Sequence, residues 1–375
     1  MFPNFPFKRV NWVASGFLIA TFLTAVIGTP LYIKQFGLDW FQVALFFIYF
    51  ILTGLSITLG YHRLFAHRSF VAKWPVRFST LVFGACAFED SALDWASDHR
   101  DHHKHTDTDD DPYNIHKGFF WAHMGWIFFK LYPRELNNVA DLRKDPLVMW
   151  QHRHHRNIAA LVGFVLPAVL GYFWNGWEGA LGGFLIAGVT RVVCVQHCTF
   201  FINSLCHCMG NRPYSSKTSA RDSWFMALFT FGEGYHNYHH SFQHDYRNGV
   251  KDWQFDPTKW TIWLLSRVGL VTDLRRAAPE KVLLAELREA RIQAEQRLAE
   301  LKNVPPHAWH CPNWQKTFDR VQDMSAAFTA NYAELERAVA EHVRVSGKRL
   351  RLWKLHSAQL LEEIAELSRL QVAYC

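Results

Sequence analysis

The sequence has no CxxC pair, although it contains seven cysteines, at positions 86, 194, 198, 206, 208, 311 and 375. It also has no HPGG segment of the kind that binds haem and no GxGxxG loop of the kind that cradles a dinucleotide cofactor. These absences exclude the common cysteine motifs of iron–sulfur clusters and zinc ribbons. We therefore expect a chain that carries no haem or flavin of its own.

Long apolar runs are plentiful in the first part of the chain, whereas the last hundred residues are charged. Four stretches are long enough to cross a bilayer, which takes about 20 apolar residues. They are 11–33, 39–61, 157–174 and 179–202. A shorter run, 76–88, ends in acidic residues and predicts an interfacial or partly buried helix. The expected fold class is an all-α membrane protein with four transmembrane helices.

Basic residues give these spans an orientation. Residues 62–156 contain 13 Lys and Arg, whereas the connector after the first span has only Lys34 and the one after the third span has none. By the positive-inside rule, the large middle segment and both termini face the cytoplasm, in a multi-pass integral membrane protein. The same juxtamembrane bases account for the pI of about 9.0 by their attraction to lipid headgroups, so no nucleic-acid partner is expected.

The chain changes character near residue 276. Leu284, Leu287, Ala294, Leu298 and Leu301 follow a heptad-like spacing, and a second helical run extends to about residue 367. We expect a membrane domain at 1–275 and a soluble helical hairpin or coiled-coil appendage at 276–375. Docking of a partner protein and oligomerisation are both open as roles for this appendage.

Nine of the 21 histidines form three tight clusters and one outlier. The clusters are HRLFAH, HRDHH and HNYHH, the outlier ends NSLCH, and the residues are His62, His67, His99, His102, His103, His207, His236, His239 and His240. Positions i, i+3 and i+4 share one face of a helix, so each HxxHH presents three imidazoles together. Neutral imidazole is a common ligand of iron, zinc and copper. The pattern predicts a metal site at the cytoplasmic ends of the spans.

The HxxxxH cluster needs a different geometry, because five residues rotate about 140° around an α-helix. We expect the chain to break after Tyr61 so that His62 and His67 converge. His207 follows Asn203 by one turn, and the carboxamide is placed to hold a metal-bound water. Nine imidazoles exceed the four to six ligands of one ion and predict a dinuclear site.

Other histidines and cysteines fit a metal site less well. His152, His154 and His155 have the spacing HxHH, which splays the rings around a helix, and we interpret them as part of a basic interfacial collar. His307, His310 and Cys311 lie in a proline-rich loop without a complete ligand set. Cys206 and Cys208 flank His207, and packing is the expected role of both.

The all-imidazole ligand set favours particular chemistry. Neutral ligands leave the metal charge uncompensated, which favours a reduced divalent ion that reacts with an oxidant. A zinc hydrolase more often uses three protein ligands and a water, with no second ion. Two irons beside a membrane span therefore indicate oxygen activation directed at a lipid-borne, unactivated substrate.

The motifs and the text between them resemble the integral-membrane acyl-CoA (stearoyl-type) delta-9 fatty acid desaturases. The similarity runs over about residues 40–260 and includes DWASDHRDHHKHTDTDDDP, GFFWAHMGW, NRPY and FGEGYHNYHHSF. It implies four transmembrane helices beneath a cytoplasmic helical cap, in which the nine histidines bind two irons and Asn203 holds one iron through water. It also implies a kinked acyl tunnel with Trp95 and Thr199 at the bend, and Asp98 as a further substrate-binding residue.

Two departures from the family pattern bear on the acyl carrier. Ser97 stands where the family commonly has an arginine that contacts the carrier, and Glu89 replaces a glutamine at the tunnel. Acyl-CoA is the expected substrate, with a phospholipid acyl chain or a carrier-protein thioester as alternatives. Arg191, within the fourth span, has a family counterpart, and we expect a structural role with an acidic partner.

The resemblance implies removal of two hydrogens from adjacent carbons by O2, which forms a cis double bond. Because O2 takes four electrons and the substrate gives two, a separate donor must supply two more; a ferredoxin-like protein or cytochrome b5 with its reductase is expected. One alternative is a histidine-rich membrane hydroxylase or alkane monooxygenase, whose relatives typically use HxxxH and HxxxHH. The other is a membrane metal-binding protein without catalysis.

Overall fold

A computed structural model of the chain describes residues 7–129, 136–301 and 312–374. The chain divides into two compact units, one of residues 1–211 with 218–276 and one of 212–217 with 277–375. The helices of the first unit are α1 (Trp12–Phe36), α2 (Trp40–Ala66), α3 (Trp74–Ala85), α4 (Ala92–His105), α5 (Phe119–His123), α6 (Ala140–Arg143), α7 (Pro146–His207), α8 (Trp224–Phe229), α9 (His236–Ser241) and α10 (Pro257–Arg267). Its two-residue strands, β1 (Val71–Ala72) and β2 (Val271–Thr272), pair antiparallel.

Among the described residues, three helices are long and apolar enough to cross a membrane: α1, α2 and α7. The side chain of Asn11 caps α1, and a capping box of Asp39 and Gln42 starts α2. The prediction of an all-α protein with several apolar helices is confirmed, and the predicted spans 11–33 and 39–61 correspond to α1 and α2.

The predicted spans 157–174 and 179–202 are two legs of α7, which folds back on itself. Asn175 and Gly176 leave the helical conformation, and Gly176 has φ +54°. Eight residues of straight helix rise about 12 Å, yet a Cβ added at Gly171 would lie only 2.0 Å from the carbonyl oxygen of Gly179. The two legs therefore lie against each other, with glycine allowing the backbones to meet.

Arg191 joins the legs of α7 to the segment after α3. Its guanidinium donates to the carbonyl oxygens of Cys86 at 2.5 Å, Gly163 at 3.0 Å and Ala187 at 3.1 Å. The expectation of an acidic partner was wrong for the part of the chain that the structure describes, because backbone carbonyls take that place. A guanidinium has five donors in a planar fork, which suits it to several carbonyls at once.

The end of α2 changes its winding where the first two site histidines occur. Residues Ser56–Ala66 form a π-helical segment, in which each turn closes with an i→i+5 hydrogen bond. Helix α3 packs along this segment, as Gly60 abuts Thr80 and Gly84 abuts Tyr61. The predicted break after Tyr61 is wrong, because the helix widens instead of ending. The run 76–88 falls largely in α3 and is partly buried, as predicted.

The second unit contains α11 (Pro279–Leu301), α12 (Pro312–Ala340) and α13 (Gly347–Tyr374). Their buried side chains form one core that includes Leu287, Trp314, Leu335, Trp353 and Ile364. Three helices share this core, whereas the sequence indicated a hairpin or a coiled coil. His307, His310 and Cys311, considered from the sequence, lie outside the described residues.

Candidate metal centre

All nine predicted histidines converge in the first unit, in two separate groups. Group A consists of His62, His67, His99, His103 and His239, and group B consists of His102, His207, His236 and His240. Within each group, one potential ligand atom from every ring lies within 4.8 Å of all the others. The structure thus brings together every histidine that the motifs indicated.

The contacts inside both groups are made by Nε2 atoms. In group A, Nε2 of His239 lies 3.0 Å from that of His62 and 2.9 Å from that of His103. The Nε2 atoms of His67 and His99 are 2.8 Å apart. In group B, successive Nε2 atoms are 3.0 to 3.3 Å apart. Atoms bound about 2.0–2.1 Å from one ion stand about 3 Å from each other, so both groups match a coordination shell.

The two HxxHH motifs are each divided between the groups. His99 and His103 of α4 belong to group A, while His102 belongs to group B. On α9 the division is reversed, because His236 and His240 belong to group B and His239 to group A. Residues i and i+4 point to one group and i+3 to the other, so each helix contributes ligands to both positions.

Five rings of groups A and B that lie outside the spans favour the neutral form. Burial lowers the pKa of His99, His103, His236, His239 and His240 well below the ordinary histidine value, and neighbouring imidazoles lower it further. A neutral ring keeps one unprotonated nitrogen, which is the atom that binds a metal. Several lone pairs that face one another at about 3 Å repel unless a cation lies between them. The donor set therefore fits a divalent transition metal such as iron.

Two of the rings have a carboxylate near Nδ1, the nitrogen that faces away from the group. Asp111 contacts Nδ1 of His102 at 2.8 Å, and Glu233 lies 2.9 Å from Nδ1 of His62. Burial opposes the charge of Asp111, but His102 and backbone N–H groups lower its pKa below the usual range. Burial also opposes the charge of Glu233, and Arg63 and His62 lower its pKa. Sequence reasoning missed both acids, although the text DTDDDP and FGEG beside the histidines was a signal.

A cavity of about 1500 Å³ reaches group A from the apolar interior of the first unit. Phe17, Leu18 and Phe88 line its apolar part, and Lys104 and Asn138 line a polar part. This volume exceeds that of ordinary small-molecule pockets. The cavity offers an apolar ligand a path to the metal centre.

The residues predicted to bind substrate, Trp95, Asp98 and Thr199, line this cavity together with His62 and His99. Asn203, predicted to hold a metal through water, lines it too. Trp95 stacks on His99 with ring centroids 4.7 Å apart. Oγ1 of Thr199 donates to the carbonyl of Val195, one turn back in its own helix. Trp95 therefore contacts both the cavity and a group A ring.

Glu89 and Ser97, the two departures from the family pattern, have different surroundings. Ser97 donates to Oδ1 of Asn138 at 2.8 Å, which occupies its hydroxyl. Glu89 lines the cavity, and burial raises the pKa of its carboxyl to about 8, against the lowering effect of Thr199 and Trp95. Burial thus favours the protonated, neutral form of Glu89.

Of the other histidines and cysteines considered from the sequence, those among the described residues belong to neither group. Nδ1 of His152 meets Oγ of Ser91 at 2.8 Å, and that of His155 meets the carbonyl of His152. Cys206 is buried and Cys208 is exposed, and neither is among the clustered ligands.

Both histidine groups lie within a segment that matches the model of a known protein family. That model is described as fatty acid desaturase, and it matches residues 38–264, more than half of the chain. The chain belongs to the fatty acid desaturase family. The resemblance indicated by the motifs is confirmed, and the desaturase segment contains all nine imidazoles.

Curated desaturases of fungi and animals are similar to this chain. It is 42% identical to the probable acyl-CoA desaturase of Schizosaccharomyces pombe, over 71% of this chain and 55% of that protein. It is 40% identical to acyl-CoA desaturase 1 of Saccharomyces cerevisiae, over 82% and 60% respectively. It is 35% identical to the delta(9)-fatty-acid desaturase fat-6 of Caenorhabditis elegans, over 73% and 82%. The chain thus spans less than two thirds of the length of the two fungal desaturases.

Proposed function

We propose that this chain is an O2-dependent acyl desaturase that introduces a cis double bond, at the delta-9 position, into a saturated acyl chain carried by coenzyme A. The observation that carries the proposal is the pair of imidazole groups at the edge of an apolar cavity, within a desaturase segment. Acyl-CoA and delta-9 follow the names of the similar fungal and nematode enzymes.

The proposed reaction breaks one C–H bond on each of two adjacent carbons and forms a C=C bond. The substrate gives two electrons and two protons, an external donor gives two electrons, two further protons come from solvent, and O2 leaves as two waters. Two irons bound by the nine imidazoles, with Asn203 holding one through water, would supply the oxygen chemistry. A ferredoxin-like protein or cytochrome b5 with its reductase is the proposed donor.

The chain's own residues bind and orient the acyl chain. Phe17, Leu18 and Phe88 would enclose its methylene groups, which excludes water from the path to group A. Trp95, against His99, would fix where the chain passes the metal centre, and Thr199 would form the opposite side of a bend. Asp98 would lie toward the carrier. Holding the reacting carbons in one position is the protein's main contribution to rate and regioselectivity.

For the membrane arrangement, we propose that the two legs of α7 cross separately, so that the chain has four spans with the metal centre and both termini in the cytoplasm. The reversal at Asn175–Gly176 and the basic residues of 62–156 support this topology. We place the desaturase domain at 1–275, in contact with membrane lipid, and the appendage at 276–375, with donor docking and oligomerisation as its candidate roles.

The test is expression in a host without its own desaturase, with a competent donor present, followed by gas chromatography of the fatty acids. Wild type is expected to form monounsaturated acids and His102→Ala none. The matched control is His154→Ala, an exposed histidine outside both groups, which should act as wild type.

Three outcomes contradict the proposal. Hydroxylated chains without new double bonds would indicate a hydroxylase or monooxygenase. A wild type that forms neither product, or a His102→Ala variant as active as wild type, would remove the catalytic role of the centre. To identify the carrier, membranes of the host are given the acyl group as a coenzyme A thioester, a phospholipid ester or a carrier-protein thioester. The form that yields monounsaturated product is the substrate.

A further inference from the structure

In His102, the ring nitrogen that does not face the metal position contacts a carboxylate. Its Nδ1 lies 2.8 Å from Oδ1 of Asp111, and this carboxylate also accepts hydrogen bonds from the backbone N–H groups of Asp107 and Tyr113. Because Asp111 acts as acceptor to all three, the shared proton belongs to Nδ1 of His102. Nε2 is then unprotonated and directed toward group B.

His207 reaches a second carboxylate through a serine. Nδ1 of His207 lies 2.7 Å from Oγ of Ser219, and that hydroxyl donates to Oδ1 of Asp107 at 2.5 Å. The backbone N–H of Ser219 donates to the other oxygen of Asp107. A hydroxyl has one hydrogen, so Ser219 must accept from His207. This arrangement leaves Nε2 of His207 free for group B as well.

Group A has a separate carboxylate. Nδ1 of His62 lies 2.9 Å from Oε2 of Glu233, and both side chains are buried. Arg63 donates to Oε1 of the same carboxylate at 2.8 and 3.1 Å, and Asn248 donates to Oε2. The buried guanidinium compensates the charge of Glu233, which stays an acceptor facing His62.

The acids lie on different segments of the chain. Asp107 and Asp111 belong to the turn after α4, whereas Glu233 precedes α9. We propose that each set supports one metal position, so that the loss of Asp111 or Asp107 empties group B alone and the loss of Glu233 empties group A alone. The inference rests on the proposed function only in that both groups bind metal ions. These acids are positioning residues, since they orient the ligand rings and do not contact the ion.

The expected size of the effect follows from how such partners act. A carboxylate behind a ligating imidazole fixes its tautomer and orientation, and its loss typically lowers metal affinity about 10–100-fold. The ion of one group should therefore be lost to a competing chelator that leaves the other ion in place.

In the experiment, the full chain is equilibrated with Fe2+ in the absence of oxygen and then passed over a competing chelator. The chelator is chosen so that it does not remove iron from wild type, and the ions that remain per chain are measured by mass spectrometry. Wild type should keep two ions, Asp111→Asn and Asp107→Asn one, Glu233→Gln one, and Asp111→Asn with Glu233→Gln none. Asp109→Asn, an exposed acid in the same turn, is the matched control and should keep two.

Two further measurements distinguish an effect of these acids on metal binding from an effect on folding alone. Asp256→Asn weakens the other acidic partner of Arg63 without touching His62, so it should lower thermal stability yet keep both ions. The metal-free forms of wild type and Asp111→Asn should unfold at similar temperatures. Loss of both ions, or of neither, in Asp111→Asn or in Glu233→Gln overturns the proposal.

The outcome is distinct from that of the proposed function. If wild type holds two ions and forms no double bond, the desaturase proposal fails while the separate supports stand. If wild type forms the double bond and each single variant loses both ions, the desaturase proposal stands. The proposal that each set of acids supports one metal position then fails.

Discussion

The backbone N–H of His67 donates to the carbonyl oxygen of His62, 3.0 Å away, and the two rings lie with centroids 4.7 Å apart. This i→i+5 bond belongs to the π-helical end of α2. In an α-helix the two side chains would be rotated by about 140° from each other. The wider winding places them on one face, so the HxxxxH motif supplies two ligands without leaving the helix.

Substitution of Gly60 by alanine should disturb this segment. A Cβ at Gly60 would lie 2.6 Å from Cβ of Thr80, so α3 must move away from the π-helical turns. Overpacking of this kind costs about 1–3 kcal/mol. We predict a lower unfolding temperature and weaker metal retention in group A, measured by thermal unfolding and metal content. Gly16→Ala is the control, because a Cβ there has no neighbour within 4 Å. Equal behaviour of the two variants would refute the role of the close packing.

Replacement of Trp95 should change the product more than the amount of folded protein. Its ring stacks on His99 and lines the cavity, so Trp95→Ala widens the path beside group A. We predict at least a ten-fold fall in desaturation and a mixture of double-bond positions, measured by gas chromatography with mass spectrometry. The exposed Trp253→Ala serves as control. A single, unchanged double-bond position in Trp95→Ala would contradict the proposed bend.

The half-buried acid Glu89, whose two carboxyl oxygens are enclosed, should make stability depend on pH. Burial raises its folded-state pKa from 4.5 to about 8. The contribution of protonated Glu89 to the free energy of unfolding is therefore fully present below about pH 4.5. It is lost as pH rises through about 8, at up to about 1.4 kcal/mol per pH unit. Glu89→Gln should unfold at the wild-type temperature at pH 4 and at a higher one at pH 9, as measured by thermal unfolding at several pH values. Glu178→Gln, a change at an exposed position, is the control and should unfold at the wild-type temperature at every pH. The prediction is refuted if the unfolding temperature of Glu89→Gln changes with pH in parallel with that of wild type.

Loss of Arg191 should separate the elements that it joins. Arg191→Met removes hydrogen bonds to three backbone carbonyls in the interior, and each unsatisfied buried group costs about 1–3 kcal/mol. We predict destabilisation by about 3 kcal/mol or more, seen as a lower unfolding temperature in detergent. Arg153→Met, an exposed change on α7, should have little effect. Comparable stability of Arg191→Met and wild type would show that the carbonyls find other partners.

The sequence predicted the members of the site better than their arrangement. Imidazole spacing identified eight of the nine ligands, because metal binding demands that residue type in close sequence clusters. His207 stands alone in the sequence, and its position one turn after Asn203 identified it. The division of HxxHH between two groups could not be predicted, since His99, His102 and His103 differ by fractions of a turn and tertiary packing decides which ring meets which ion. The supports Asp111 and Glu233 were missed because acids beside histidines are common in turns and reveal a role only when their distances are known.

The same limit applies to the fold. Hydropathy located α1, α2 and both legs of α7, because burial in lipid requires long apolar runs. It could not predict how closely the two legs of α7 pack at Gly171 and Gly179, or the carbonyl partners of Arg191, which depend on how segments pack.

The central claim is a centre of two iron ions held by nine imidazoles, and the metal content of the purified wild-type chain tests it most directly. Iron and zinc should be measured together by mass spectrometry after purification from iron-supplied cells. The account predicts two ions per chain, predominantly iron. One zinc ion per chain and no iron would contradict it.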